Sequence, residues 1–230
     1  MCNDHITECK EKVKYLGVVI DNFLSGECIV ETIVQKVNNR LKFLYRQARF
    51  LDTFCKKTLC SALIQCHIDY ACSAWYSGLS KTLKQKLQIC QNKMVRFVLN
   101  LGPRASVNYA TLGHLDLLNI QDRVSQLRLN HVFSIYHGRA PSYLTEHFLL
   151  RSNYSNYHTR SASNADFVLP SVKHKQCESF YFNGIKDWNM LPGEIRTVLN
   201  TGSKFSFKRN VKKFLIDRGV AQYKSQQIFY

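Results

Sequence analysis

The chain has 230 residues, 45% hydrophobic and 12% aromatic, with only 4 prolines and 10 glycines. That supply of apolar side chains suffices for a core and excludes a disordered, collagen-like or low-complexity chain. Thirty-two Lys and Arg against 16 Asp and Glu leave a formal charge of +16, which favours polyanionic partners, nucleic acid before an anionic membrane surface.

In chain order, Lys14 to Asp21 is a β-branched run closed by polar residues. It reads as a strand or one arm of a hairpin, with a turn over Phe23 to Gly26. Glu27 to about Phe50 reads as a long helix. Ile29, Ile33, Val37, Leu41 and Leu44 share one side, with Val30, Val34 and Ala48 beside them. On the helical wheel Lys42, Arg46 and Arg49 lie opposite that stripe, and Lys36 and Arg40 flank it. Cations segregated in this way can neutralise phosphates and release counterions, which positions a backbone without reading its sequence.

Asp52 and Thr53 can cap a second helix, Phe54 to Tyr76, with a stripe of Leu59, Leu63, Cys66 and Tyr70. A third helix runs from about Ser80 to Leu101 on Leu83, Leu87, Cys90, Met94, Phe97 and Leu101, and Gly102-Pro103 ends it. No Asp or Glu occurs from Tyr70 through Leu115, so Lys81, Lys84, Lys86, Lys93, Arg96 and Arg104 have no local acid to neutralise them. Asn119 to about His137 is a fourth helix, and Ala140 to Leu144 starts a short one. Arg151 to Asn164, rich in Ser, Asn and Tyr, reads as a linker, and Phe167 to Pro170 as a brief extended segment. Ser179 to Trp188 and Lys204 to Arg218 complete the helices. In the last, Phe207, Val211 and Phe214 face one way, and Lys208, Arg209, Lys212 and Lys213 the other.

Nine scattered cysteines, without a signal-like start or a run of about 18 apolar residues, predict free thiols, no membrane partner and an intracellular place, nucleus or cytoplasm. There is no Cys-x-x-Cys pair, so Cys55, Cys60, Cys66 and Cys72 read as small buried hydrophobes and no metal site is predicted. There is also no nucleophile elbow, phosphate loop or His-Glu-x-x-His, and no catalytic residue is predicted. Trp75, Tyr76, Phe182 and Trp188 suit stacking on bases or burial in a core.

Lys14-Tyr-Leu-Gly-Val18, followed by a helix holding Arg40-Leu-Lys-Phe-Leu-Tyr-Arg46, resembles the region after the catalytic palm in reverse transcriptases of non-LTR (LINE-type) retrotransposons. The branch it resembles is that of the Jockey and CR1-like elements. The resemblance continues through His67-Ile-Asp-Tyr-Ala71 with Trp75, and through Leu83 and Leu87-Gln-Ile-Cys-Gln-Asn-Lys-Met-Val-Arg96. It goes on in Leu112-Gly-His-Leu-Asp-Leu-Leu118, Arg139-Ala-Pro-Ser-Tyr-Leu144, Thr159-Arg160 and Trp188-Asn-Met-Leu-Pro192. The ordered set spans almost the whole chain, although no single piece is specific.

The resemblance implies a mainly α fold: a helical thumb-like bundle preceded by a short β-hairpin or strand, with a second small helical region at the C-terminus. It implies a palm-edge remnant at 1–26, a thumb-like domain at 27–104, a helical connector at 105–150, a linker at 151–178 and a small helical region at 179–230. Tyr15, Leu16 and Gly17 become primer-grip-like. Lys36, Arg40, Lys42, Arg46, Arg49, Lys81, Lys84 and Arg96 become the residues that hold an RNA or DNA template–primer by its backbone.

The family's catalytic acids lie in the palm, in a Tyr/Phe-x-Asp-Asp turn that would lie upstream of Met1. This sequence has no Asp-Asp pair, and the family's endonuclease domain is missing. The expectation is therefore a truncated, non-catalytic piece of an RNA-directed DNA polymerase. It would have no cofactor of its own, Mg²⁺ entering only with the palm. The alternatives are an inert pseudogene-like product and an accessory subunit completing a reverse transcriptase in trans.

Overall fold

Leu16 and Gly17 both have positive φ, 45° and 83°. Together they close a two-residue turn between β1 (Lys12–Tyr15) and β2 (Val18–Asp21), which pair antiparallel with Tyr15 opposite Val18 and Lys12 opposite Asp21. Two left-handed residues in succession match the twist of a hairpin. This computed structural model describes residues 11–154, 165–173, 177–197 and 203–227.

The carboxylate of Asp21 organises the exit from the hairpin. It accepts hydrogen bonds from the Phe23, Ser25 and Gly26 amides, at 3.1, 2.9 and 3.2 Å, and from the Ser25 hydroxyl. Gly26 then enters α1 (Glu27–Arg46) with φ 71°, and a Cβ there would stand 2.4 Å from Leu79 Cδ2. Only glycine meets both demands without strain. Along α1, Val30, Ile33, Val37, Leu41 and Leu44 are buried, as the helical period requires.

The expected continuous helix from Phe54 to Tyr76 is broken. Asp52 does cap α2 (Thr53–Cys60), accepting from the Cys55 amide at 2.6 Å. A π-turn over Ser61–Gln65 follows, then α3 (Cys66–Asp69). Tyr70 is extended and Ala71 left-handed (φ 50°) before α4 (Cys72–Trp75). The buried stripe is correspondingly displaced. Cys60, Ile64, Ile68 and Cys72 face the core, Leu59 and Leu63 are half-buried, and Cys66 and Tyr70 are exposed. Both sets recur at helical spacing, and tertiary packing selects between them.

Helix α5 (Lys81–Val98) is capped by Ser80, which accepts from the Leu83 amide, and buries Leu83, Leu87, Cys90, Met94 and Phe97. It runs parallel to α1: Leu79 meets Gly26 at one end, and the rings of Tyr45 and Phe97 meet edge to face at 4.8 Å at the other. It ends earlier than Leu101. Asn100 turns left-handed and the Leu101 amide returns to the Arg96 carbonyl at 2.9 Å, closing a Schellman-type cap.

A short helix that the pattern did not suggest, α6 (Tyr109–His114), is held by a capping box between Asn108 and Thr111. Helix α7 (Ile120–Tyr136) is buried nearly all round, Asp122, Ser125, Gln126 and Arg128 included. Its first turns, Ile120 and Val124, join an apolar cluster built on α1 to α5. Its later turns, Leu129, Val132 and Phe133, join a second cluster with Phe148, Phe167, Ile185, Trp188, Phe207, Val211 and Leu215.

Helix α8 (Ser142–Thr145) and α9 (Arg151–Tyr154) are single turns. Residues 155–164 and 174–176 of the expected linker, Thr159 and Arg160 among them, lie outside the described residues. Phe167 bridges to Leu150 and is buried. Helices α10 (Phe180–Asn189), α11 (Gly193–Thr197) and α12 (Lys204–Gln227) follow, the last longer than its apolar pattern implied. Trp188 is fully buried and donates its indole N–H to the Ala165 carbonyl at 3.0 Å. Each such large apolar side chain contributes on the order of 1.5–3 kcal/mol.

Candidate nucleic-acid interface

Lys36, Arg40, Lys42, Arg46 and Arg49 are all exposed. None of them forms an ion pair among the described residues. The ion pairs there join Arg123 to Asp69, Arg128 to Asp187, Arg196 to Asp166, Lys212 to Asp116 and Arg218 to Asp122. Every cation in that set lies beyond Leu118 in sequence. These pairs engage cations of the C-terminal half only, and the five cations from Lys36 to Arg49 stay outside them. Local order adds to this face. The Arg49 guanidinium lies 4.6 Å from the centre of the Phe50 ring, and Lys93 on α5 donates to Asn38 Oδ1 at 3.0 Å. Lys42 is one turn beyond Asn38 on the same helix, so Lys93 joins the cationic face from α5.

The α5 cations divide. Lys81 is exposed, but it stands at the end of α5 that adjoins the start of α1, away from Arg46 and Arg49. Lys84 is half-buried, donates to the Ser77 carbonyl at 3.1 Å and lies 5.4 Å from the Tyr76 ring centre. Burial holds its pKa below the ordinary lysine value. Arg96 donates to the Ala105 carbonyl at 2.8 Å. These last two side chains tie down loops, with less of their donor capacity turned outward.

The hairpin adds a groove. A cavity of about 480 Å³ is lined by Lys14, Gly17, Lys36, His67, Tyr70 and Trp75 among others. Tyr15 and Leu16 are exposed and line a separate cavity of about 550 Å³, and the Tyr70 hydroxyl donates to the Leu16 carbonyl at 2.6 Å. Burial first, then the charges of Lys36 and Arg40, lower the His67 pKa. Residue-by-residue reading did not single out His67, Lys14 or Trp75 as members of one groove. His67 is remote from Lys36 in sequence, and only the packing of α3 on α1 joins them.

Lys56 is only 3% exposed and has no carboxylate partner among the described residues; it donates to Asn100 Oδ1 at 2.6 Å. Among the cysteines predicted to be buried, Cys60 and Cys72 are core residues whose thiols burial pushes up to about 12. Cys55 and Cys66 are instead exposed, because their turns face solvent. Among the described residues no three His, Cys, Asp or Glu side chains converge to hold a metal, so a divalent ion has no built ligand set there. Among those residues, too, no helix is long and apolar enough to cross a membrane.

No protein-family model matches the chain, and neither a curated protein nor a solved structure does.

Proposed function

We propose that this chain is the thumb and C-terminal region of a non-LTR retrotransposon reverse transcriptase, and that it holds template–primer nucleic acid by its backbone without catalysing. Its place would be intracellular. The single observation that carries the reading is a face of five exposed cations, none ion-paired among the described residues, beside a hairpin groove that adds Lys14 and His67. Lys36, Arg40, Lys42 and Arg46 stand on α1, which ends at Arg46 and not at the expected Phe50, and Arg49 stands in the 3-10 turn Ala48–Phe50 that follows. Such a face exchanges counterions for phosphates and reads no base edges. The ordered motifs from Lys14 to Pro192 support the family assignment, and the lack of an Asp-Asp pair supports the absence of polymerase chemistry.

A salt titration of duplex binding tests it. The logarithm of the binding constant falls linearly with the logarithm of salt, with a slope of about −0.9 per phosphate neutralised. Replacing Lys42, Arg46 and Arg49 together by glutamine flattens that slope. A salt-independent affinity overturns the phosphate-contact reading.

One observation favours a second reading, an accessory subunit that completes a polymerase in trans. Tyr15, Leu16, Phe23 and Leu24 leave apolar surface exposed around the hairpin. Primer extension with the chain alone and with a separately supplied palm decides it. The first gives no product, and only the accessory reading predicts product in the second.

A further inference from the structure

We propose that α12 carries a second binding face, separate from that of α1, for single-stranded nucleic acid. On this helix Phe205, Lys208, Arg209, Lys212, Lys213 and Ile216 recur at helical spacing and form one stripe. The buried residues Phe207, Val211 and Leu215 occupy the other side. A cavity of about 520 Å³ opens along the stripe, completed by Asp116 and Gln126. It adjoins a second cavity, of about 330 Å³, with which it shares Asp116, Gln126 and Lys212. The two form a trough between α12 and α2, and the far cavity adds Lys57 and Arg123.

The charge balance of the trough is positive. Asp116 is paired with Lys212 and Asp69 with Arg123, so both carboxylates are already neutralised. Lys57, Lys208, Arg209 and Lys213 remain outside any ion pair among the described residues. Gln65 lines the far cavity, is only 8% exposed, and its Oε1 accepts no hydrogen bond among the described residues.

Phe205 fixes the class of ligand. Its side chain is 73% exposed, whereas Phe207, two residues on, is 1% exposed. An aromatic ring left in water at the mouth of a cationic groove is the combination that binds single strands, bases stacking on the ring while lysines follow the phosphates. A duplex, its bases already stacked inside, cannot use the ring. The stripe is also held rigidly. Arg218 pairs with Asp122 at 2.7 Å, and at Gly219 the helix approaches Tyr109 so closely that a Cβ would stand 2.6 Å from its ring.

The test is fluorescence anisotropy on the full chain with a short oligouridine, the matching DNA strand and a duplex, following four variants. Phe205→Ala weakens single-strand binding about five- to a hundredfold, the range one stacked base supplies. It leaves duplex binding unchanged, and Phe205→Trp keeps the affinity. Replacing Lys208, Arg209 and Lys213 by glutamine lowers the single-strand salt slope by about 2. Replacing Lys42, Arg46 and Arg49 by glutamine weakens the duplex and spares the single strand. Inorganic phosphate fails to compete. The proposal is overturned if Phe205→Ala leaves single-strand affinity intact, or if an acidic peptide displaces the strand as well as unlabelled oligomer does. It is also overturned if the α1 variant removes single-strand binding, an outcome that leaves the α1 reading standing. Single-strand binding without duplex binding would sink the α1 reading and keep this one.

Discussion

Tyr70 holds Leu16: its hydroxyl donates to the Leu16 carbonyl at 2.6 Å, and its ring lies in van der Waals reach of Gly17. The hairpin tip is thereby pinned to the break between α3 and α4, where Trp75 in turn donates to the Tyr70 carbonyl at 3.1 Å. Tyr70→Phe keeps the ring contact and removes one partly solvated hydrogen bond, a loss of about 0.5–1 kcal/mol. Hydrogen exchange should show faster amide exchange in β1 and β2 with the rest of the chain unchanged. Unchanged hairpin protection would contradict the pinning.

His67 should report on ligand binding. Its pKa is lowered by burial and by Lys36 and Arg40. In the free chain the folded state therefore takes up fewer protons at His67 than the unfolded state does, and stability is lost as pH falls below about 6.5. A bound polyanion cancels the repulsion from the two cations and raises the pKa, so protonation and binding reinforce each other. Nucleic-acid affinity rises as pH falls from about 7 through the ordinary imidazole range, and His67→Gln flattens that dependence. Histidine NMR titration with and without duplex measures the shift directly.

Gly26→Ala tests the approach of α1 to α5. The backbone there has φ 71°, and the new methyl would meet Leu79 Cδ2 at 2.4 Å. Strain and crowding act in the same direction, for a loss of about 1–3 kcal/mol. Denaturant melts should show a lower midpoint with an unchanged slope.

Asp122 carries a pH dependence of the opposite kind to the usual carboxylate. Burial raises its pKa, although Arg218 pulls it back down. A raised folded value means that this group favours the folded state most below about pH 4 and that the advantage is lost as pH rises through the folded pKa. Arg218→Ala removes the counterion and deepens that loss. At neutral pH it costs up to about 3 kcal/mol, the low end for a broken buried pair because Arg218 is 30% exposed. Thermal melts at acidic and neutral pH separate the two cases: the variant recovers at low pH.

Much of this architecture is readable from residue pattern. Helix α1 announces itself because its apolar stripe is long, its period is regular and its cations lie opposite. Ser80, Asn119 and Ser179 cap helices close to where their side chains suggest. The break at Tyr70 and Ala71 has no such signal. Ala71 adopts positive φ without being glycine, and Arg123 on α7 holds Asp69 just before it at 2.7 Å. Helix α6 has 6 residues, too few for a period to emerge. The candidate site is legible only as a run of exposed charge on α1 and the turn after it. The occupation of Lys84 and Arg96 by the Ser77 and Ala105 carbonyls is not, because a cation's partner in a folded-back loop leaves no local mark. Phe205 reads as one more apolar residue of an amphipathic helix until its exposure is known.

The double membership of α7 ties the two apolar clusters together. A cut before α7 takes Ile120 and Val124 from the first cluster, and a cut after it takes Val132 and Phe133 from the second. Two clusters that share one helix both lose core residues when that helix unfolds. The α1 face and the α12 face therefore travel together, and whatever unfolds one disarms the other.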